Sequence, residues 1–205
     1  MGSPKHAVRL PDGRTMLDWV LASLLRCVPI AAVVGALTDA RRPGVLSIPD
    51  IHPGRGPLAG IHAALVRLDV AGCLVAACDQ PFLDERLLRP LARDPDRACC
   101  LVSAASGALL PLPVYVPRSC LARVVEELFL GRGSLHGLLS RIAPDRVTVP
   151  AHLEPAVRSL NTPGELRAAF LETQPVRGPR HAAGLRAGEA PPQRPRTGGR
   201  SHSLA

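Results

Sequence analysis

A short apolar run that ends in a carboxylate constrains the fold more than any other feature of this chain. Residues 72–78, Gly-Cys-Leu-Val-Ala-Ala-Cys, are followed at once by Asp79 and then by Gln80, Pro81 and Phe82. Apolar residues closed by a polar, proline-containing turn predict a buried strand. In open α/β sheets ligands bind at the carboxyl ends of the strands, so Asp79 is a candidate site residue. It could instead cap the next helix, a frequent role for Asp.

Strand and helix patterns alternate along the rest of the chain. The patterns predict helices over 15–27, 60–68, 84–93, 118–130, 134–142 and 163–172, and strands over 30–35, 45–48, 72–78, 99–102, 110–116 and 146–149. Two prolines, Pro111 and Pro113, break the fifth strand, which predicts that it lies at a sheet edge. The alternation predicts an α/β fold with a doubly wound, mostly parallel sheet flanked by helices, in one domain over residues 1–174.

Composition favours a single domain in a reducing compartment. Of the 205 residues, 46% are hydrophobic and 2% are aromatic, so Leu, Val and Ala must fill one core. The six cysteines include no CxxC pair, and we expect small buried thiols rather than a metal site or disulfides. No apolar run approaches ~20 residues, and the first residues carry no signal-peptide core. We therefore expect a cytoplasmic protein that does not contact a membrane.

The positive charge is concentrated at the end of the chain. Residues 175–205 hold six arginines against one acidic residue, Glu189, which is a net +5 of the chain's +8. This segment is also rich in proline and glycine and has no aromatic residue, so we expect a disordered tail. The remaining chain shows no basic stripe interleaved with aromatic residues, which makes nucleic acid an improbable ligand.

A glycine-rich segment precedes the second predicted helix. Residues 54–60, Gly-Arg-Gly-Pro-Leu-Ala-Gly, predict a turn whose backbone N–H groups could receive an anion. A plain helix start with Pro57 in the first turn fits this segment equally well. Asp50 lies just before it, after the strand over 45–48, and so is predicted at the same sheet edge as Asp79.

Two further candidate residues have simple local interpretations. Asn161 lies in residues 159–163, Ser-Leu-Asn-Thr-Pro, where Thr162 fits a helix N-cap and Pro163 the first helical position. Lys5 lies in a loop before the first helix, where a lone lysine is usually only solvated. Neither residue would indicate a site by itself.

Taken in order, these segments resemble the molybdenum cofactor guanylyltransferases, which belong to the wider group of MobA-like nucleotidyltransferases. The matching segments are Met1-Gly2-Ser3-Pro4-Lys5, Asp50, Gly56-Pro57-Leu58-Ala59-Gly60, Cys78-Asp79-Gln80-Pro81-Phe82 and Asn161-Thr162-Pro163. The resemblance runs from residue 1 to about 172, and the Gly-Pro-Leu-Ala-Gly and Cys-Asp-x-Pro-Phe pair is its more specific part. It implies a single Rossmann-like domain.

The resemblance also implies a reaction. The terminal phosphate of molybdopterin would attack the α-phosphate of Mg·GTP, release pyrophosphate and form the guanine dinucleotide cofactor. Such an attack is anion on anion, so catalysis rests mainly on positioning and charge neutralisation. The partners implied are GTP and molybdopterin as substrates, and molybdenum-insertion or molybdoenzyme chaperone proteins.

Residue roles follow from the same resemblance. Asp79 would hold Mg²⁺ as its metal ligand, and Asp79 and Lys5 would be the catalytic residues, with Lys5 offsetting phosphate charge. Asn161 would face the pterin. The nucleotide-binding set is Lys5, Asp50, Gly56, Pro57, Leu58, Gly60 and Asp79.

The chain departs from the family pattern in two ways. The family motif runs Leu-x-Gly-Gly-x-Ser-x-Arg-Met-Gly-x-x-Lys, and this sequence starts at its Met, so the first strand and the glycine-rich loop are absent from it. A start codon placed too far downstream and a decayed gene are the two explanations. The second departure is that Gly35 stands where a nucleotide-contacting Asn often lies and Ser159 replaces the first Asn of an Asn-x-Asn-Thr-Pro pattern.

These departures leave other functions open. A related enzyme could use CTP, or could transfer a nucleotide to a sugar phosphate, on the same fold. A truncated chain could also be an inactive protein that only binds nucleotide. Comparing pyrophosphate release with GTP and CTP would separate these alternatives.

The expected disorder of the C-terminal tail can be tested. Deleting residues 176–205 should leave the melting temperature and any turnover nearly unchanged, because exposed disordered termini contribute little to folding. Thermal denaturation of the shortened and full-length chains measures this. A drop of several degrees would show that the tail docks on the domain.

Overall fold

Six strands and six α-helices are formed by the residues that the computed structural model describes, which are 7–35, 43–130 and 134–173. In chain order the elements are α1 (Met16–Leu25), β1 (Ala31–Val34), β2 (Val45–Ile48), α2 (Pro57–Arg67), β3 (Gly72–Val75), α3 (Glu85–Leu91), β4 (Cys99–Ser103), β5 (Leu109–Pro117), α4 (Leu121–Phe129), α5 (Leu135–Ile142), β6 (Asp145–Val149) and α6 (Pro163–Thr173). Arg118–Cys120 and Ala151–Val157 form 3-10 helices. The predicted tail lies outside the described residues.

Side-chain caps set the starts of three helices. Thr15 and Asp18 form a capping box at α1, in which the Asp18 N–H donates to Thr15 Oγ1 at 3.1 Å and the Thr15 N–H donates to Asp18 Oδ2 at 2.8 Å. The Asp84 carboxylate accepts the Arg86 N–H at 2.8 Å and so caps α3. Ser134 caps α5 in the same way. Each cap satisfies N–H groups that lack partners in the first helical turn.

The strands form two sheets. β1 and β2 pair in parallel, and the second sheet has the order β3-β5-β4-β6. Strand β5 is antiparallel to both of its neighbours, whereas β4 and β6 pair in parallel. Strands β3, β4 and β6 therefore run in one direction and β5 alone runs in the other. The predicted α/β class is confirmed, with one reversed strand inside the larger sheet.

The predicted edge position of β5 is wrong. β5 lies between β3 and β4, and its pairing with β4 shifts register between Cys100, which faces Val114, and Leu101, which faces Leu110. Residues 111–113 fall into that bulge, so Pro111 and Pro113 stand where no ladder N–H is needed. The bulge therefore explains how an interior strand accommodates two prolines.

Side chains alternate between the two faces of the larger sheet. On β4, Cys99 and Leu101 pack with residues of α1 and α3, whereas Cys100 packs with residues of α2, α4 and α5. Helices thus cover both faces, as the doubly wound prediction requires. None of the helices in the described ranges has the length and apolar character needed to cross a membrane.

The cysteines behave as small core residues. All six thiols are free, and burial is the main cause that raises the pKa of Cys73 and of Cys99 to about 11. These two thiols are therefore protonated at neutral pH and unreactive. Cys73 packs toward α2, α4 and α5, whereas Cys78 packs with α1 and β1.

Strand β3 is shorter and less buried than predicted. It ends at Val75 rather than Cys78, and all four of its residues are half-exposed. Within the described residues, β5 is the strand that pairs with β3, on one side only. A strand paired on one side leaves its other edge open, which accounts for both the early end and the exposure.

A buried carboxylate joins α4 to α5. Glu127 is 1% exposed, and Arg141 Nε lies 2.7 Å from its Oε1 in an ion pair whose angle falls short of a hydrogen bond. Gly137 on α5 leaves room for this carboxylate, because a Cβ there would lie 3.2 Å from Glu127 Oε2. The glycine costs α5 some helix stability and gives space to the charge.

We predict that Arg141→Leu destabilises the fold because it leaves the Glu127 charge buried without its cation. The expected loss is roughly 2 kcal/mol, below the usual value for a fully buried pair, because the Arg141 side chain is 36% exposed. The double variant Glu127→Met/Arg141→Leu should recover most of the loss. Urea denaturation of the three proteins measures this, and equal losses in the single and double variants would contradict it.

Candidate functional site

The carboxyl ends of β1 and β2 bring Gly35 and Asp50 together. The two strands are parallel, so they end at the same edge, and the Gly35 N–H donates to the Ile48 carbonyl at 3.0 Å. A Cβ at Gly35 would lie 3.6 Å from the Asp50 Cβ and 3.9 Å from its Oδ2. Gly35 has a φ of +92°, which favours glycine. Asp50 therefore stands directly beside the backbone that leaves β1.

One oxygen of Asp50 shapes the loop after β2. Oδ1 accepts the His52 N–H at 2.9 Å, an Asx turn that directs the chain toward α2. The other oxygen, Oδ2, is on the Gly35 side. Asp50 is half-buried, so it can act both as a turn residue and as an acceptor for a ligand.

Helix α2 begins at Pro57, earlier than the predicted start at Gly60. Gly56 is its N-cap, with a φ of +69° that favours glycine and no side-chain cap. Leu58 is fully buried in the core, and a Cβ at Gly60 would lie 4.0 Å from the Val34 Cβ. The open turn is therefore residues 54–56, and the Leu58 side chain faces the core rather than the site.

Two contacts hold the loop after β2 against α4. Arg55 Nη1 donates to the Leu128 carbonyl at 3.0 Å, near the end of α4, where a cation is favoured by the helix dipole. His52 stacks near His62, with ring centroids 5.1 Å apart, and meets the edge of Phe129 at 5.7 Å. Burial and, second, His52 lower the pKa of His62, so it is neutral at pH 7. Local patterns do not indicate the Arg55 contact, since it joins residues 73 positions apart in the chain.

Asp79 lies in a turn beyond the end of β3. The Gln80 N–H donates to the Ala77 carbonyl at 3.3 Å, which closes the turn around Asp79. Asp79 is half-buried, and its Oδ1 is shielded from solvent. The Leu160 N–H donates to the Asp79 carbonyl at 2.8 Å. The helix that follows is capped by Asp84, so the capping role that Asp79 might have had belongs to another residue.

Gln80 is a positioning residue that the sequence analysis missed. Its side chain is 4% exposed, and Nε2 donates to the Val157 carbonyl at 2.7 Å and to the Leu112 carbonyl at 3.1 Å. These bonds tie the Asp79 turn to the bulge of β5 and to the end of the 3-10 helix before α6. No local pattern in the sequence indicates this role, because the partners of the Gln80 amide lie 32 and 77 positions away in the chain.

Asn161 is brought next to the Asp79 turn by its neighbour Leu160. The Asn161 N–H donates to Glu165 Oε2 at 2.7 Å, and the Glu165 N–H donates to Thr162 Oγ1 at 3.1 Å. Thr162 and Pro163 thus start α6 as the sequence predicted. Asn161 itself is exposed. Asn161 therefore takes part in the start of α6 through its backbone and also lies beside the Asp79 turn.

Aromatic residues brace the same turn. The Phe82 ring lies 5.7 Å from Trp19 on α1 and 6.5 Å from Phe170 on α6, and Trp19 meets Phe170 at 6.2 Å. The two pairs that involve Trp19 are edge-to-face, a geometry that contributes beyond the area it buries. The turn that carries Asp79 is therefore fixed from both helices.

The described residues include no cluster of three or more His, Cys, Asp and Glu side chains that could hold a metal ion by themselves. The role of Asp79 as a metal ligand stays a prediction. Lys5 lies outside the described residues.

The sequence is similar to one family model and to several known proteins. Residues 1–157 match the family model of the MobA-like NTP transferase domain. A probable molybdenum cofactor guanylyltransferase of Pelotomaculum thermopropionicum is 28% identical over 173 residues, which cover 81% of this chain and 83% of that protein. A probable molybdenum cofactor guanylyltransferase of Clostridium perfringens is 35% identical over 85 residues, 42% of this chain and 43% of that protein.

A solved structure has a similar fold. The molybdopterin-guanine dinucleotide biosynthesis protein A from Archaeoglobus fulgidus superposes with a TM-score of 0.63 at 26% sequence identity. The superposition covers 82% of this chain and 89% of that chain. It therefore extends over most of the described elements.

We predict that Gln80→Met destabilises the fold by about 2 kcal/mol, because it leaves one buried and one partly buried carbonyl without their donor. Gln80→Glu, which keeps the size but replaces donors by acceptors, should lose more. Urea denaturation at pH 7 measures both variants. Parental stability in Gln80→Glu would show that these two hydrogen bonds do not hold the turn.

Proposed function

Because the chain belongs to the family of MobA-like NTP transferase domains and is therefore a nucleotidyltransferase, we propose that it transfers GMP from GTP to molybdopterin. A phosphate oxygen of molybdopterin attacks the α-phosphorus of GTP and forms a P–O bond. The bond from the α-phosphorus to the oxygen that bridges to the β-phosphate breaks, and pyrophosphate leaves with that electron pair. The product is the guanine dinucleotide form of the cofactor, which molybdenum-insertion or molybdoenzyme chaperone proteins would receive.

The observation that carries this proposal is the placement of Asp79. Its turn follows β3 and is fixed by the buried Gln80 side chain and by the Leu160 hydrogen bond. The loop that contains Asn161 is thereby held beside the backbone of Asp79. An acid rigidly placed beside a second, polar loop suits a reaction in which two phosphate-bearing substrates must meet.

A magnesium ion fits Asp79. The carboxylate is half-buried, and Mg²⁺ usually takes one or two carboxylates and fills its other positions with phosphate oxygens and water. When bound, Mg²⁺ would neutralise phosphate charge that otherwise repels the attacking oxygen. Asp79 would orient the ion, and its placement by Gln80 means that little reorganisation is needed.

The nucleotide would lie on the side of β1 and β2. Asp50 has one oxygen committed to the turn and the other beside Gly35, and the open backbone of residues 54–56 leads into the N-terminus of α2. Helix N-termini attract anions, and carboxylates accept hydrogen bonds from sugars and bases. Asn161 would contact the pterin, and Lys5 would offset phosphate charge.

The reaction is tested by pyrophosphate release from GTP in the presence of molybdopterin and Mg²⁺. Release that depends on molybdopterin and is at least tenfold faster with GTP than with CTP is expected. Faster release with CTP, or with a sugar phosphate as acceptor, would replace the proposed substrates while leaving the transferase class unchanged.

We predict that Asp79→Asn lowers turnover at least 100-fold, equivalent to roughly 3 kcal/mol of transition-state stabilisation, because it removes the charge that holds Mg²⁺. Raising the Mg²⁺ concentration should restore part of the activity. The melting temperature should change little. Asp69→Asn, at an exposed position, is the matched control and should behave as the parent.

The variant Asp50→Asn distinguishes the role of Asp50 from that of Asp79. The amide can still accept the His52 N–H, so the turn is kept, and the loss should be smaller and appear partly as weaker GTP binding. If Asp79→Asn instead unfolds the protein while surviving molecules bind GTP normally, Asp79 is a structural residue and the proposed metal role fails.

A further inference from the structure

His52 and His62 pack against each other, and each has one buried ring nitrogen. The ring centroids lie 5.1 Å apart and the ring planes are tilted by 37°. His52 Nε2 and His62 Nδ1 are shielded from solvent, and in the part of the chain that the structure describes neither has a hydrogen-bond partner. Buried polar atoms are normally hydrogen-bonded, so two exceptions at one ring contact need an explanation.

The surroundings of the two rings leave one source of a partner. His52 contacts the rings of His62 and Phe129, and of these two only the imidazole has hydrogen-bonding groups. At this centroid separation, ring nitrogens that face each other come within reach of a hydrogen bond after a small rotation of the rings. Each histidine is therefore the available partner of the other.

The chemistry of imidazole suits such a pairing. A neutral ring has one nitrogen that donates and one that accepts, and exchange between the two tautomers changes which is which. Two neutral rings can therefore satisfy both buried nitrogens with a single N–H···N hydrogen bond, in which one ring donates and the other accepts.

The pair is linked to the candidate nucleotide site through the main chain. The His52 N–H donates to Asp50 Oδ1 at 2.9 Å, so the position of His52 sets the turn that carries this carboxylate. His62 lies on α2, the helix whose N-cap is Gly56 at the end of the open turn. A bond between the two rings would tie the middle of the loop after β2 to the helix that follows it.

We infer that His62 is a positioning residue for nucleotide binding, because it shares an N–H···N hydrogen bond with His52 that keeps the Asp50 turn in place on α2. This inference rests on the proposed function, in which Asp50 faces the nucleotide. Neither histidine touches the substrate, and both act through Asp50.

A proton added to each ring would break the pair. Two cationic rings would place N–H against N–H and put two like charges side by side. The charged side chains on the loop after β2, on α2 and on α4 are Asp50, Arg55, Arg67, Arg123, Glu126 and Glu127. The three acids among them already have partners, which are the His52 N–H, Arg123 and Arg141. A cation on His62 would therefore gain no carboxylate without breaking another contact.

The pH at which the pair opens follows from the same environment. Burial and, second, the neighbouring His52 lower the pKa of His62 below its usual value of 6.5. A base whose pKa is lowered in the folded protein keeps its contact above the usual pKa and loses it as the pH falls through the lowered one. The contribution of the pair to GTP binding should therefore be complete at pH 7.5 and be lost on the acidic side of 6.5.

Equilibrium binding of GTP with Mg²⁺, without an acceptor, tests this by calorimetry at pH 7.5. His62→Phe keeps a flat ring in the contact and removes both nitrogens, so it should weaken binding roughly fivefold, the equivalent of one hydrogen bond. His62→Asn, whose amide can take the place of Nδ1, should retain most of the affinity. His152→Asn, at an exposed position, is the matched control and should bind as the parent does.

The pH dependence separates positioning from a merely structural role. The advantage of the parent over His62→Phe should disappear as the pH is lowered from 7.5 to about 5.5, whereas His62→Asn should keep its advantage because an amide does not titrate. Protonation of the GTP phosphates affects all the proteins alike and cancels in these ratios. A constant ratio of the parent to His62→Phe, or equal weakening in the Phe and Asn variants at pH 7.5, would overturn the inference.

Nuclear magnetic resonance of the nucleotide-free parent decides the hydrogen bond itself. With ¹⁵N in the histidine rings, a scalar coupling across the bond should join His52 Nε2 to His62 Nδ1 at pH 7.5 and should vanish at about pH 5.5. This measurement holds if the variants do not fold, and also if the parent fails to bind GTP, which would contradict the proposed function alone. Absence of the coupling at pH 7.5 would overturn the pairing.

Discussion

The pairing of β5 with two neighbours at once is the constraint on which the larger sheet depends. β5 is the only strand of that sheet that runs against the others, and it joins β3 to β4. Its bulge at residues 111–113 interrupts the ladder and leaves the Leu112 carbonyl to accept a side-chain donor. That donor is Gln80, so the irregularity that admits two prolines also anchors the turn that carries Asp79. The Leu112 carbonyl thus links the bulge of β5 to the turn of the candidate site.

The candidate site is built from two parts with different supports. Asp50 and Gly35 depend on the parallel pair β1 and β2 and on the loop that Arg55 ties to α4. Asp79 and Asn161 depend on the larger sheet and on the start of α6. Because α1 and α2 pack on both sheets, their packing determines how the two parts are placed. Core substitutions in these helices can therefore alter the site without touching it.

Much of the fold could be predicted from the sequence because the signals are local. Thr15 and Asp84 cap their helices through contacts with residues two or three positions away, and alternation or helical periodicity marks most elements. The interior position of β5 and the early end of β3 could not be predicted, because they depend on which strands become neighbours. The predicted helix began at Gly60, but α2 begins three residues earlier, at Pro57.

The same distinction between local and long-range signals applies to the residues of the candidate site. Asp79 and Asp50 could be identified because a carboxylate after an apolar run is visible in the sequence. Gln80 and Arg55 could not, since their partners, Val157 and Leu128, are more than 70 positions away. The family resemblance supplied roles for residues that local patterns left open, and the matching family model supports the class of enzyme.

The aromatic brace gives the protein an intrinsic optical reporter. Trp19 is the only tryptophan in the chain, and it contacts Phe82 beside the Asp79 turn, Phe170 on α6, and the Arg14 guanidinium 4.1 Å from its ring centroid. Indole emission depends on polarity and on nearby charge. The fluorescence of unlabelled protein should therefore respond to any change in the packing of α6 or of the Asp79 turn against α1.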